Sequence, residues 1–460
     1  MSRTVGPGCE DGRVRRAVTP LLAVTVAMVL ADSAVVTLAL PDILLNLDAS
    51  VGQVAWVLIA YNLVLGIAAV PAALLLERTQ PRLLAAAGVA VFAGASAWCA
   101  VAGSIEVLVV ARCVQALGGA LALVGCLEQL VTERGERRGV ATWVTAGVVG
   151  TAAGPVAGGL LTQAISWQAI FVVQVPFAVL AVPAALASSD RPSRPTDRHR
   201  PAIRANVTLA LMSAALTAAL FLLVLLLVEG WGRSPATAAV TVSVVAVAAV
   251  AAPWLVRPFH PPATLEVAVG CFLVAGGLAG LALLPSSDLA WTVAPQVLVG
   301  VGLGLTVDRL TSQAMDLRLP RARHAGWTIG ARHLGVVVGL AVLTPVFTAD
   351  LQDAQAPAEQ AITALVIDAP LPADDRIAVA KALGDALVDQ RGQVPDLAPA
   401  FARLDVDASD RPALDRLERD LDDQLERAAN RAFRDSFLIG ALIALAALLT
   451  VVLPRRRRAA

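Results

Sequence analysis

Charge is scarce in this sequence. Only 16% of the 460 residues are Asp, Glu, Lys or Arg, while 57% are hydrophobic. A soluble chain carries about a quarter charged residues to cover itself, so a soluble globular protein is excluded. Polar–apolar alternation is lacking as well. The apolar runs are continuous, which excludes a membrane β-barrel and leaves α-helices to satisfy the backbone in lipid. Lys381 is the single lysine, and arginine carries the other basic charges. Tyr61 is the single tyrosine and aromatics make up 4%, too little to name a substrate. Cysteine is equally uninformative. Cys9 lies in the N-terminal tail, and Cys99, Cys113, Cys126 and Cys271 fall inside apolar runs, so neither a disulfide framework nor a metal site is expected. The hydrophilic segments hold no nucleotide loop, metal set or nucleophile–base pair. An enzyme, a cofactor and a nucleic-acid partner are therefore not expected.

What is present is a series of twelve apolar runs. They cover about 18–40, 53–76, 83–103, 105–130, 139–162, 167–188, 206–228, 236–256, 264–284, 289–312, 325–348 and 435–453, each near the ~20 residues a bilayer requires. The first is too long for a signal-peptide core and is read as a retained span. Arginine sets the orientation. With twelve spans, the clusters at Arg3 to Arg16, Arg78 and Arg82, Arg134 to Arg138, Arg191 to Arg204, Arg257, Arg318 to Arg323 and Arg455 to Arg458 all fall on one side. The expectation is an all-α, multi-pass protein of the plasma membrane with both termini cytoplasmic.

Five regions follow. Residues 1–188 form a six-helix bundle and 189–204, rich in Pro, Ser and Arg, a cytoplasmic linker. Residues 205–348 form a second bundle, 349–434 a long acidic extracytoplasmic segment, and 435–460 the last span with a basic tail. Within the acidic segment Ile377, Ala380, Leu383 and Leu387 recur at helical spacing, and Leu414, Leu417, Leu421 and Leu425 do so before the last span. A small helical cap is expected there, the alternative being a solvated spacer.

Ionisable groups inside a bilayer are costly, so each is a candidate site. Asp32 lies ~13 Å below the outer end of its span, Arg112 ~10 Å and Tyr61 ~12 Å at the helical rise. Gln115 lies one turn from Arg112, and Gln174 sits at a similar depth. The layer reads either as a proton-linked cluster, with Asp32 taking the proton and Arg112 its counter-charge, or as a static pair joining two helices. Asp308 and Arg332 form a second candidate pair near the inner surface, read there as closing or anchoring the bundle. In the run that holds Gly150, Gly154, Pro155, Gly158 and Gly159, Gly150, Gly154 and Gly158 share one face for close packing and Pro155 bends the helix.

Several motifs resemble the major facilitator superfamily, in particular its fourteen-span drug:proton antiporters. The run Asp32 to Pro41 resembles D-x-T-V-V-N-V-A-L-P, and Trp56 to Leu63 resembles W-V-x-T-A-Y-x-L. Arg112 to Gly118 resembles R-x-x-Q-G-x-G, and Gly150 to Gly159 the antiporter motif G-x-x-x-G-P-x-x-G-G. Trp167 to Phe171 is similar to W-R-W-I-F. The resemblance implies proton coupling through Asp32 and Arg112, and export of amphipathic small molecules. It departs at Ala73 to Arg82, where the family's glycines are missing and Glu77 replaces Asp. In the second half two family spans have no counterpart. Either the chain is a shortened fourteen-span protein, whose second bundle keeps four of six helices unless spans 7 and 8 substitute, or it is a twelve-span relative with converged ends. The alternative function is a non-transporting partner or sensor that acts through residues 349–434.

Overall fold

The computed structural model describes residues 8–188, 199–315, 318–389, 401–404 and 409–453. Arg3, Arg191, Arg194, Arg198 and Arg455 to Arg458 lie outside these residues, as does most of the 189–204 linker. Every regular element among the described residues is helical. Among the described residues twelve helices are long and apolar enough to cross a membrane. Spans 1 to 6 are Val18–Thr37, Gly52–Leu76, Pro81–Ala100, Ile105–Arg134, Glu136–Ala164 and Ala169–Ala187. Spans 7 to 12 are Ile203–Gly230, Pro235–Val256, Ala263–Ala282, Leu289–Met315, Arg321–Asp350 and Arg411–Val452.

Local sequence explains the breaks. Ser50 and Gln53 form a reciprocal capping box that starts span 2. Pro81 occupies the first turn of span 3, where its missing N–H costs nothing. Ser104 caps span 4 by accepting from Val107 N. Gly135, at φ 80°, turns the chain between spans 4 and 5.

Packing repeats in the two halves. In the first, span 1 packs on spans 4, 5 and 6, span 4 on spans 2 and 3, and span 3 on span 6. In the second, span 7 packs on spans 10, 11 and 12, span 10 on spans 8 and 9, and span 9 on span 12. Each contact in one half has its counterpart six spans later, the mark of two six-helix repeats. The second half therefore holds a full set of six, with spans 7 and 8 filling the positions that the sequence left without counterparts. Spans 2 and 11, and spans 5 and 8, join the halves.

Two of the helices continue past the bundle. The helix of span 11 runs from Arg321 to Asp368, and that of span 12 begins at Arg411. With the helix Ala373–Asp389 they enclose a small apolar core of their own, including Val366, Val379, Leu383, Phe401, Leu414 and Leu421. Leu414, Leu417, Leu421 and Leu425 are buried as their spacing predicts, but Ile377 is 68% exposed. Leu383 is buried as expected, Ala380 is exposed, and Val379 faces inward in place of Ile377 because the neighbouring helices cover only that side. Leu387 lies among side chains outside the described set. The cap is tied to the bundle where Trp231 Nε1 donates to Asn430 Oδ1 at 2.8 Å and Ser287 Oγ bonds Glu426.

At the opposite, linker face, Arg204 donates to the terminal carbonyls of span 12, reaching Leu453 O at 2.7 Å. These basic–carbonyl contacts satisfy acceptors that the helix itself leaves open.

Candidate functional site

Span 1 can carry a carboxylate into the middle of the first half because span 5 lies unusually close to it. A Cβ on Gly150 would strike the carbonyl of Ala27, one on Gly154 would come within 2.9 Å of Ala31 O, and one on Gly158 would strike Val35 O. These contacts climb span 1 one turn at a time. Pro155 is buried in the same helix, and Gly159 meets Ala239 of span 8 instead.

Asp32 and Arg112 are both fully buried, and Arg112 Nη1 donates to Asp32 Oδ2. The other carboxylate oxygen accepts from Gln174 Nε2 at 2.8 Å and from Gln115 Nε2 at 3.3 Å. Gln115 Oε1 accepts from Arg112 at 2.6 Å, which fixes the amide orientation. Ser96 of span 3 accepts from Gln115 at 2.8 Å and lies 3.2 Å from Gln174 Oε1. The guanidinium carbon of Arg112 sits 4.0 Å from the centre of the Tyr61 ring, within cation–π range. The Tyr61 hydroxyl turns away from the carboxylate and donates to Val29 O at 2.9 Å. Spans 1, 3, 4 and 6 thus contribute to one polar cluster around the pair, while Tyr61 supplies a face and not a proton. Ser96 was not singled out in the sequence, where one hydroxyl in an apolar span carries no signal of its own.

A second polar layer crosses between the halves. His333 of span 11 bonds Asn62 of span 2 at 2.7 Å, and Asn62 Oδ1 also accepts from Ser33 at 3.2 Å. Around them lies a cavity of about 70 Å³ lined by residues of both halves, among them Ser33, Asn62, Leu220, Arg332 and His333. A larger cavity of about 290 Å³ adjoins it and shares Thr151, Leu216, Leu220 and Arg332. Leu220 belongs to a π-helical turn, Ala218–Leu222, which widens span 7 at this level.

Asp308 and Arg332 line the larger cavity together, but no ion pair joins them. Arg332 donates to Thr151 Oγ1 at 2.9 Å instead. The helix of span 11 begins at Arg321, so Arg332 lies about eleven residues, or ~16 Å, from its linker end. Asp308 lies about seven residues, or ~10 Å, from that end of span 10. The expected pairing near the inner surface fails because Arg332 sits deeper than its partner. Arg309 turns outward to Glu266 at 2.7 Å.

The linker face is closed by ion pairs between the halves. Arg321 meets Glu136 at 2.6 Å and Glu128 at 3.3 Å, and Arg323 meets Glu77 at 2.7 Å. Glu77, the departure noted in the loop after span 2, thus still links the halves.

Residues 22–343 match the Major Facilitator Superfamily profile. The chain belongs to that superfamily. Among curated members it is 40% identical over 168 residues to the tetracenomycin C resistance and export protein of Streptomyces glaucescens, a match covering 36% of this chain and 31% of that one. It is 34% identical over 160 residues to the multidrug efflux pump LfrA of Mycolicibacterium smegmatis, covering 34% and 32%. The matched stretch thus spans about a third of each of these relatives. Solved transporter structures share the fold over most of the chain. A bacterial homologue of the human lysosomal transporter Spinster, inward-facing and unoccupied, superposes with a TM-score of 0.62 at 14% identity, covering 95% of this chain and 98% of that one. A POT family transporter bound to a thioalcohol-conjugated peptide gives 0.57 at 10% identity, covering 72% and 91%.

Proposed function

We propose that this superfamily member is a proton-driven exporter of amphipathic small molecules in the plasma membrane, with both ends cytoplasmic. The observation that carries the reading is the buried Asp32–Arg112 pair beside a cavity shared by the two halves. A buried ion pair gains little stability over an apolar contact of the same volume, but it is a switch. Protonation removes the charge that holds Arg112, and separation of the helices frees the carboxylate for a proton. Gln115 and Gln174 hold the ionised form, so charge loss loosens contacts on spans 1, 4 and 6 together. Ser33, next to Asp32 in the chain, connects through Asn62 to His333 in the other half. A change at Asp32 thereby reaches the interface on which the halves would rock to give alternating access. The closed linker face corresponds to one end of that motion. The relatives named for resistance, export and multidrug efflux support drug-like substrates, and the six-helix second half favours transport over the partner or sensor role.

The test is purified Asp32→Asn protein in liposomes with an imposed pH gradient and a panel of fluorescent amphiphiles. Gradient-driven flux above the protein-free leak is expected for the wild-type chain and not for the variant. Equal flux in both would overturn the assignment of Asp32.

A further inference from the structure

Arg332 lines both cavities and has no carboxylate within ion-pair distance among the described residues. Its partner is the neutral hydroxyl of Thr151, which itself donates to Gly147 O at 2.9 Å and so presents a lone pair. A guanidinium has five N–H donors, and one protein hydrogen bond leaves most of them facing the two cavities that Arg332 lines. A cation at this depth is costly without a counter-charge, and the nearest acid in the cavity wall, Asp308, is not paired with it. The rest of the larger cavity is apolar, formed by Val149, Leu220, Val245, Ala249 and Leu303. Its volume of about 290 Å³ is close to the lower end of the ~300–1,000 Å³ range of small-molecule sites. Val149, Val250 and Trp254 are 50%, 43% and 71% exposed, so its mouth opens between spans 5 and 8 on the flank that faces lipid.

We propose that this cavity binds an amphipathic monoanion. The acidic group, a carboxylate, sulfonate or phosphate ester, pairs with Arg332 at the deep end. The apolar body lies along spans 5, 8 and 10 toward the mouth. Paired oxygens of a carboxylate, sulfonate or phosphate suit the planar guanidinium fork, which can donate two parallel hydrogen bonds. Asp308, nearer the linker end, selects against a second negative charge. The site names a substrate class for the exporter proposed above and rests on that reading for its role in transport.

The experiment uses the full chain in neutral detergent and two probes that differ by one group. Anilinonaphthalenesulfonate is the anion, and phenylnaphthylamine is the same ring body without the sulfonate. Calorimetric titration is expected to show binding of the sulfonate, reduced about tenfold to a hundredfold in Arg332→Gln, the range for a charge-assisted hydrogen bond. Phenylnaphthylamine binding stays within about twofold, which also reports that the variant is folded, and Arg332→Lys recovers part of the loss. Asp308→Asn leaves sulfonate binding unchanged or tighter. Unchanged sulfonate binding in Arg332→Gln would overturn the proposal, as would equal loss of both probes. Phosphatidylglycerol added to the micelles separates the sources of such an anion. Displacement of the sulfonate assigns the Arg332 site to a lipid head group, and no displacement assigns it to a free solute. Binding is read without a gradient, so a failure of this site and a failure of proton-driven export are distinguishable.

Discussion

His333 and Asn62 share a hydrogen bond across the interface of the two halves. Asn62 Nδ2 is committed to Leu58 O at 2.8 Å, so its oxygen must face both His333 and Ser33. The acceptor oxygen in turn places the hydrogen on Nδ1 of His333. Because the hydrogen bond needs both side chains, Asn62→Ala and His333→Ala should be strongly non-additive in thermal stability. A coupling of about 0.5–1.5 kcal/mol is expected from a double-mutant cycle. Additive losses would mean that the bond contributes nothing between the halves.

The Asp32–Arg112 pair can be separated into its structural and functional parts. Arg112→Ala alone leaves a buried carboxylate without its counter-charge and should cost about 3–5 kcal/mol. The double replacement Asp32→Leu with Arg112→Met removes both charges at similar volume and should restore most of that stability. If proton coupling is the reason for the pair, gradient-driven flux stays absent in the refolded double variant. Recovered flux would make the pair a static brace.

Removing Arg321 and Arg323 together should open the linker face. Each partly exposed ion pair contributes about 0.2–1 kcal/mol, so the loss of three shifts the closed–open balance by about threefold to a hundredfold. In a background with the five native cysteines replaced, a cysteine at Leu216 should then react faster with a water-soluble maleimide added from the linker side. An unchanged labelling rate would show that the ion pairs do not hold the gate.

The glycine stripe of span 5 predicts a steric effect. Gly150→Val puts a branched side chain where the Ala27 carbonyl already stands. Overpacking of this kind costs about 1–3 kcal/mol or more, read as a lowered unfolding temperature. Gly94, whose added Cβ would meet nothing within 4 Å, should accept Ala without such a loss.

The cap should melt on its own. Leu421 is fully buried in the cap core. Leu421→Ala removes about 2–5 kcal/mol from that core, and limited proteolysis should cut residues 360–425 faster while the spans stay protected. Equal loss of protection throughout would mean that the cap and bundle unfold as one unit.

The spans and the Asp32 layer were legible because bilayers permit few exceptions. Long apolar runs have one structural meaning there, and a charge among them stands out. What was not legible is which faces meet. Ser96, Asn62 and Thr151 look like ordinary polar residues until three helices converge on them. Arg332 was misplaced by a helix start. The residues before Ala325 are basic and polar, so the run reads as ending there, whereas Arg321 and Arg323 are helical and reach across to acids of the first half. The face of the cap helix was ambiguous for a similar reason, since Ile377 and Val379 are both apolar and only the neighbouring helices decide between them.

The unbroken helix from Arg321 to Asp368 has 48 residues, about 72 Å of rod against a hydrocarbon core of about 30 Å. It is pinned at the linker end by its arginines and spans the whole bundle before it enters the cap. A tilt too small to resolve at the level of Arg332 is multiplied by the length of that rod at its far tip. The tip is therefore a pointer, and a spectroscopic label on it would register any rocking of the second half far from the cavities.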